Sequence, residues 1–500
     1  MGFIKFLLKL SLIIVIFGAL LFWYFYDQAH PVVSNSNNPL VVNDVTGLNP
    51  ITVNAVIQPK SEQDVIDAIV STQGAISIGG ARYSMGGQIA YPDSLHLDMR
   101  TFNQILEFNP QKKIITVQTG ITWREIQQHI DPHDLSIKIM QDFNNFTVGG
   151  ALSVNAHGRP MGQGAIINSV RSIQIILANG QIYDASPEQN SDLFYGAIGG
   201  YGGLGVITRA TLQLVDNVAI ERTVTNLGFN EYLNFFLENV LNDDSVVLHN
   251  AVLYPPGFET VLDISWRESE KPLTQPLRLR QHDEDNWLRP VLVDLLARSN
   301  LLKMLRQHLI DPLIYNQPAV VMRNWESSYD LRDFGFLNSQ NATLAMREYF
   351  VPVNKFEVFV LKLRDAFIRH KVDVLNVSVR YTPRDDKSVL SWAKNDIFSF
   401  MVVYRQGKDE ESIAEVSEWS KDLLKGSIES RGSYYLPFQN QATSEQFHSA
   451  YPGVGRFLKI KKKADPANRF NNMLWAKYDN LLTSGEDSKK VLLHQQTNIK

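Results

Sequence analysis

SIGGARYSMGGQ, residues 77–88, is the stretch on which the reading of this chain turns. It continues AISIGG (Ala75 to Gly80), a short apolar run ending in glycines, which predicts a strand that opens into a loop. Successive backbone N–H groups in such a loop can converge on an anion, and glycine permits the positive φ and close approach that this requires. A pyrophosphate cradle is one reading. An ordinary glycine-rich turn is the other, and this segment alone does not separate them.

Further segments bear on that choice. TVGGALSVNAHGR (Thr147 to Arg159) is almost free of bulk around Gly149 and Gly150, which suits backbone packed against a flat ring system. In GGYGGLGVITRATLQL, Gly200, Gly202 and Gly205 satisfy G-x-G-x-x-G. A dinucleotide-binding turn needs a strand before it and a helix after it. Here a helix-like SDLFYGAI precedes and a plain strand follows, so that reading fails on context.

With SAYPGVGRFLKIKKKADPANRFNN (Ser449 to Asn472), these motifs in this order resemble the PCMH-type FAD-binding domain of the vanillyl-alcohol oxidase family, in its sugar-lactone and alditol oxidase branch. The resemblance covers most of Val53 to Tyr478. It implies an α+β fold, with a two-subdomain FAD-binding domain and an α+β cap over the flavin ring. Carried over by position, Ile78, Gly79, Gly80, Ala81, Arg82, Tyr83, Ser84 and Met85 would hold the pyrophosphate. Gly149, Gly150, Ser153, Asn155, His157 and Gly158 would line the flavin and its ribityl chain, and Val206 and Ile207 would offer backbone contacts at the adenine end. Covalent members of the branch carry a histidine immediately before the loop serine; here that residue is Tyr83, so FAD is expected without a covalent bond. No cysteine is present to form a second linkage.

The cap should hold the substrate chemistry. In LNVSVRYTP, Asn376, Ser378 and Arg380 lie at i, i+2 and i+4 and share one face of a strand. The segment is similar to the alditol oxidase strand that faces substrate, which makes Arg380 the candidate guanidinium near the flavin or a sugar oxygen. A solvated strand face is the alternative. The acidic neighbour the family pattern expects beside that arginine is missing, with valine or serine in its place. Tyr435 is expected to approach the flavin, and Phe438 stands about where polyprenyl-sugar oxidases of the family carry a catalytic lysine. Glu348 in REYFVP is expected in a surface salt bridge, and Lys459 to Lys463 in a solvated basic turn.

Composition narrows the rest. The 500 residues are 44% hydrophobic and 20% charged with a net charge of -4, which suits a buried core and gives nucleic acid no electrostatic hold. Without cysteine and without His-Glu-x-x-His there is no expected protein metal site. Leu10 to Tyr26 is uncharged and apolar, with Lys5 and Lys9 before it and Trp23, Tyr24 and Tyr26 at its far end. That pattern predicts one transmembrane helix with a cytoplasmic N-terminus and the remaining chain on the periplasmic or extracytoplasmic side.

The expected organisation is therefore an anchor (1–28), a linker (29–49), an FAD domain (50–215), a cap (216–440), a segment returning to the FAD domain (441–480) and a tail (481–500). The expected activity is dehydrogenation of a C–OH on a sugar, aldonolactone or polyol, with electrons passed to O2 or a quinone. Oxidation of a polyprenyl-linked sugar and a non-catalytic flavin-binding protein are the alternatives.

Overall fold

The computed structural model describes residues 38–281, 288–334 and 338–478. The expected anchor, most of the residues before Val41 and the tail lie outside them. Among the described residues, no helix is long and apolar enough to cross a membrane.

The first lobe begins with three parallel strands in the order Ala55–Ile57, Leu95–Asp98, Ile76–Gly79. Glu62–Ser71 forms the crossover helix because Ser61 and Asp64 make a reciprocal capping box at its start. Its Val65, Ala68 and Ile69 pack on Ile76, Leu95 and Leu97. Phe470 adds a further parallel bridge at Ile76, so the C-terminal segment closes this sheet.

The second lobe is a six-stranded antiparallel sheet around Val206–Asp216, whose alternating burial marks one face on the core. Val170–Ile176 and Ile114–Gln118 flank it. Val170–Ile176 turns back as a hairpin into Ile182–Ala185, and at the Asn179-Gly180 corner the Gly180 amide donates to the Leu177 carbonyl at 2.9 Å with φ of 76°.

Between Asp216 and Ala219 the chain leaves this lobe for an eight-stranded antiparallel sheet. Three neighbours in it, Val374–Thr382, Ile397–Gly407 and Ala342–Pro352, carry the candidate residues. Phe356 and Phe359 of the helix Phe356–Arg369 pack against Phe398 and Phe400 and cover one face. The opposite face is turned to the first two lobes.

Two local expectations are corrected. Residues 38–49 are folded where a linker was expected: Val41–Val42 pairs with Ile51–Thr52, and Val42 is buried with Ile51, Val53 and Ile89. The segment's Pro, Asn and Ser content hid this short apolar pairing. Lys459 to Lys463 form part of the helix Val454–Ala464 where a turn was expected; Lys459, Lys462 and Lys463 are exposed, but Lys461 is buried and its Nζ donates to the carbonyls of Gly203 (2.8 Å) and Phe470 (2.9 Å). An ammonium so placed ties the returning segment to the second glycine loop.

Candidate functional site

A groove runs between the two lobes beneath the cap. The whole run Ile78 to Met85 lines one side, and Gly149, Gly150, Ser153 and His157 line the other. The approach is close: a Cβ on Gly80 would stand 2.3 Å from Thr147 Oγ1. Arg82 has a φ of 64°, a left-handed conformation unusual outside glycine and found where a loop is bent for a ligand. Among the described residues, no acceptor of the protein takes the amides of Arg82, Tyr83 or Ser84. A bent loop with free N–H groups is the donor set that an anionic phosphate group needs, so the cradle fits the pyrophosphate of FAD.

Of the remaining expected residues, Ile207 lines the groove, whereas Asn155, Gly158 and Val206 stand behind its wall. Asn155 is fully buried and donates to Ser388 Oγ at 2.8 Å, bracing the wall against the cap. A Cβ on Gly158 would lie 2.0 Å from the Met140 carbonyl, so the residue is small for the chain crossing and not for a ligand. Val206 packs with Ile176 and Phe470.

Tyr83 stacks on Phe146 with ring centroids 4.3 Å apart, and its hydroxyl accepts from Asn145 Nδ2 at 2.5 Å. Burial, reinforced by Asp330, pushes its pKa up to about 12, so the phenol stays neutral.

Strand register explains the cap face. Arg380 stands opposite Ser399, Ser378 opposite Met401, and Met401 opposite Glu348. Directly opposed residues share a face, so these side chains lie together on one face of the cap sheet, from which Arg380, Met401 and Glu348 line the groove. Asn376 and Ser378 line a wider cavity of about 660 Å³ in the cap. Arg380 lines both that cavity and the groove and therefore sits at their junction.

Arg380 has an acidic partner after all. Asp142 pairs with Arg380 Nη2 and, at 3.1 Å, with Arg159 Nε, while Arg159 Nη1 reaches Glu326 at 2.7 Å. The acid is supplied by a loop of the second lobe and not by the arginine's own strand. Burial works to raise the Asp142 pKa, but Arg380 and Arg159 outweigh it and hold the carboxyl below its ordinary range.

Glu348 is likewise no surface residue. It is buried, lines the groove, and places Oε1 3.0 Å from His157 Nε2. Burial works to raise its pKa, and the charge and hydrogen bond of His157, with Arg380 behind them, bring it below the usual value. His157 is packed among Trp392, Phe350 and Tyr435, with centroids 4.7, 5.6 and 5.6 Å away. Its Nδ1 meets no partner among the described residues. Tyr435 lines the groove, and its hydroxyl donates to the Val154 carbonyl at 3.0 Å, which braces the ring there.

Behind the cradle, His96 accepts or donates at Nδ1 to Ser77 Oγ at 3.0 Å, and its ring would stand 2.8 Å from a Cβ on Gly79. Burial, then Arg82, pushes its pKa from 6.5 down to about 4. The unfolded chain therefore takes up a proton that the folded one refuses between those values. Stability from this residue is complete above about pH 6.5 and falls as pH drops to about 4, by about 3 kcal/mol. Denaturant titrations across this range should show that slope in the wild type, and His96→Gln should flatten it.

The fold and groove define an FAD-dependent oxidoreductase, with a two-lobed groove that fits the cofactor and a separate cap above it. A family model for an FAD binding domain matches residues 53–186, and one for D-arabinono-1,4-lactone oxidase matches residues 210–478. The chain belongs to this D-arabinono-1,4-lactone oxidase family and is an FAD-linked enzyme. It is similar to L-gulonolactone oxidase of Bos taurus, 23% identical over 433 residues, which are 83% of this chain and 92% of that one. It is also similar to decaprenylphosphoryl-beta-D-ribose oxidase of Mycolicibacterium smegmatis, 23% identical over 447 residues, covering 84% and 93%. Cytokinin dehydrogenase 9 of Oryza sativa is 29% identical over 248 residues, 46% of each chain.

Proposed function

We propose that the protein is a membrane-anchored dehydrogenase of a C–OH group on a sugar, aldonolactone or polyol, with FAD held without a covalent bond. The observation that carries this reading is Arg380, the cation shared by the cofactor groove and the substrate cavity. FAD supplies the hydride acceptor at the groove. Arg380, fixed by Asp142, orients the reacting oxygen and offsets negative charge that develops near the ring. Glu348, ionised beside His157, is the acceptor for the hydroxyl proton. With FAD bound, the hydrogen of the donor C–H would transfer to it with the bonding electron pair, the O–H proton would go to Glu348, and the donor would become a carbonyl compound. The terminal acceptor in this reading would be O2 or a membrane quinone.

Asn376 and Ser378 supply polar contacts deeper in the cavity, which is walled by Trp266, Trp325 and Tyr315 and carries Arg222 and Arg306. The N-terminal apolar segment supports an anchor with the catalytic lobes outside the cytoplasm. Oxidation of a polyprenyl-linked sugar is the second reading, favoured by that segment and by the similarity to the mycobacterial oxidase. Phe438 in the groove wall weighs against it, since a phenyl ring cannot supply the charge of the expected lysine.

Tyr83 supports non-covalent attachment, because its neutral hydroxyl is held by Asn145. Acid precipitation should release yellow flavin into the supernatant, and colour left in the pellet would contradict a non-covalent cofactor. Steady-state reduction of O2 and of a soluble quinone, assayed with sugars, aldonolactones and polyols, tests the activity. Failure of every donor with both acceptors would contradict it.

A further inference from the structure

The cap carries a surface that its own fold does not cover. Three consecutive helical segments, Asn300–Leu305, Arg306–Ile310 and Asp311–Tyr315, repeat leucine at i+4. Leu301, Leu305, Leu309 and Leu313 are 67, 42, 55 and 64% exposed, with Met304 and Ile310 beside them at 49 and 48%. Single exposed leucines are ordinary, but a continuous row along one helical face marks a contact surface.

The same segments wall the substrate cavity from the other side. Arg306, Ile314 and Tyr315 line it, and Ile314 is also 52% exposed. The cavity is thus bounded by the element whose outer face is apolar.

The tether of the chain points to what covers that face. Residues 38–49 dock on the cap edge through Asn338, whose Nδ2 donates to the Val45 carbonyl at 2.9 Å. Just beyond, Ala342 and Leu344 pack against Val293 of the helix Leu288–Arg298, which leads directly into the exposed segments. The N-terminal apolar stretch ends at Tyr26, and residues 27–37 reach at most about 40 Å even when fully extended. With the N-terminal segment as the membrane anchor proposed above, this tether would hold the cap edge within about 40 Å of the lipid surface.

We propose that the helical face 300–315 rests in the membrane interface and places the cap cavity beside the bilayer, so that the cavity exchanges a membrane-resident amphiphile, either donor or electron acceptor. The segments are amphipathic in the required sense, with leucines outward and Lys303 and Asp311 buried on the inner side. This inference rests on the anchor reading above but not on the choice of sugar.

The absence of cysteine makes a direct test clean. Leu309→Cys and Leu313→Cys in the full chain, each carrying an environment-sensitive fluorophore, are compared in phosphatidylcholine vesicles with Val70→Cys. Val70 is 57% exposed on the crossover helix of the first lobe. A nitroxide carried on the lipid acyl chain should quench the labels at 309 and 313 by roughly half and leave that at 70 unchanged. Equal, weak quenching at all three sites would overturn the proposal. So would a blue shift at 309 and 313 that rises with protein concentration without lipid quenching, which would assign the face to a second copy of the chain. A full chain that does not float with the vesicles would contradict the anchor and the surface together. Flotation without quenching would contradict the surface alone, and loss of every sugar activity with quenching intact would contradict only the proposed donor class.

Discussion

Ala81→Asp is expected to give folded, colourless protein. Ala81 lines the groove within the bent loop. If this loop holds the pyrophosphate, the new carboxylate meets a like charge at close range. At 4 Å and an effective dielectric of about 20, that costs about 4 kcal/mol, or roughly a thousandfold in affinity. The ratio of flavin to protein absorbance after purification measures it, with circular dichroism to establish that the chain is folded. Ala81→Asn, of similar size and without charge, should keep most of its flavin. Colour retained in Ala81→Asp would remove the loop from the phosphate site.

Arg380→Met should leave flavin content unchanged and slow reduction of the flavin by the best donor about 100- to 1000-fold, the cost typical of losing one donor aimed at developing charge. Stability should fall as well, because Asp142 loses one of its two guanidinium partners in a buried setting. The double variant Asp142→Asn with Arg380→Met separates the two effects. It should recover thermal stability while reduction stays slow. If reduction recovers with stability, Arg380 acts only as a brace.

What was legible in the sequence was short-range. The period-two pattern of Asn376, Ser378 and Arg380 among valines described the strand Val374–Thr382 and its polar face. The order helix, glycines, strand around Gly200 ruled out a dinucleotide turn, and the structure shows Ser191–Ala197 followed by Val206–Asp216. The partners of the charged residues were not legible, for a physical reason. Asp142 lies 238 residues from Arg380, and only the closure of cap on lobe brings them together. Glu348 sits in a strand buried on both faces, where alternation no longer tells water from interior. Lys461 looks like one of several surface lysines until its three acceptors are seen together. The small residues of the second motif presented another limit: Gly149 and Gly150 face the groove, while Gly158 answers to a neighbouring carbonyl, and composition alone does not distinguish these demands.

The central claim is that a hydroxylated donor in the cap cavity reduces flavin held in the cradle. Mixing the purified, oxidised protein anaerobically with aldonolactones, sugars and polyols tests it most directly. At least one donor should bleach the flavin absorbance in a saturable, concentration-dependent phase, with stoichiometric carbonyl product. Flavin that remains oxidised with every hydroxylated donor, in protein that chemical reductants do bleach, would contradict the account.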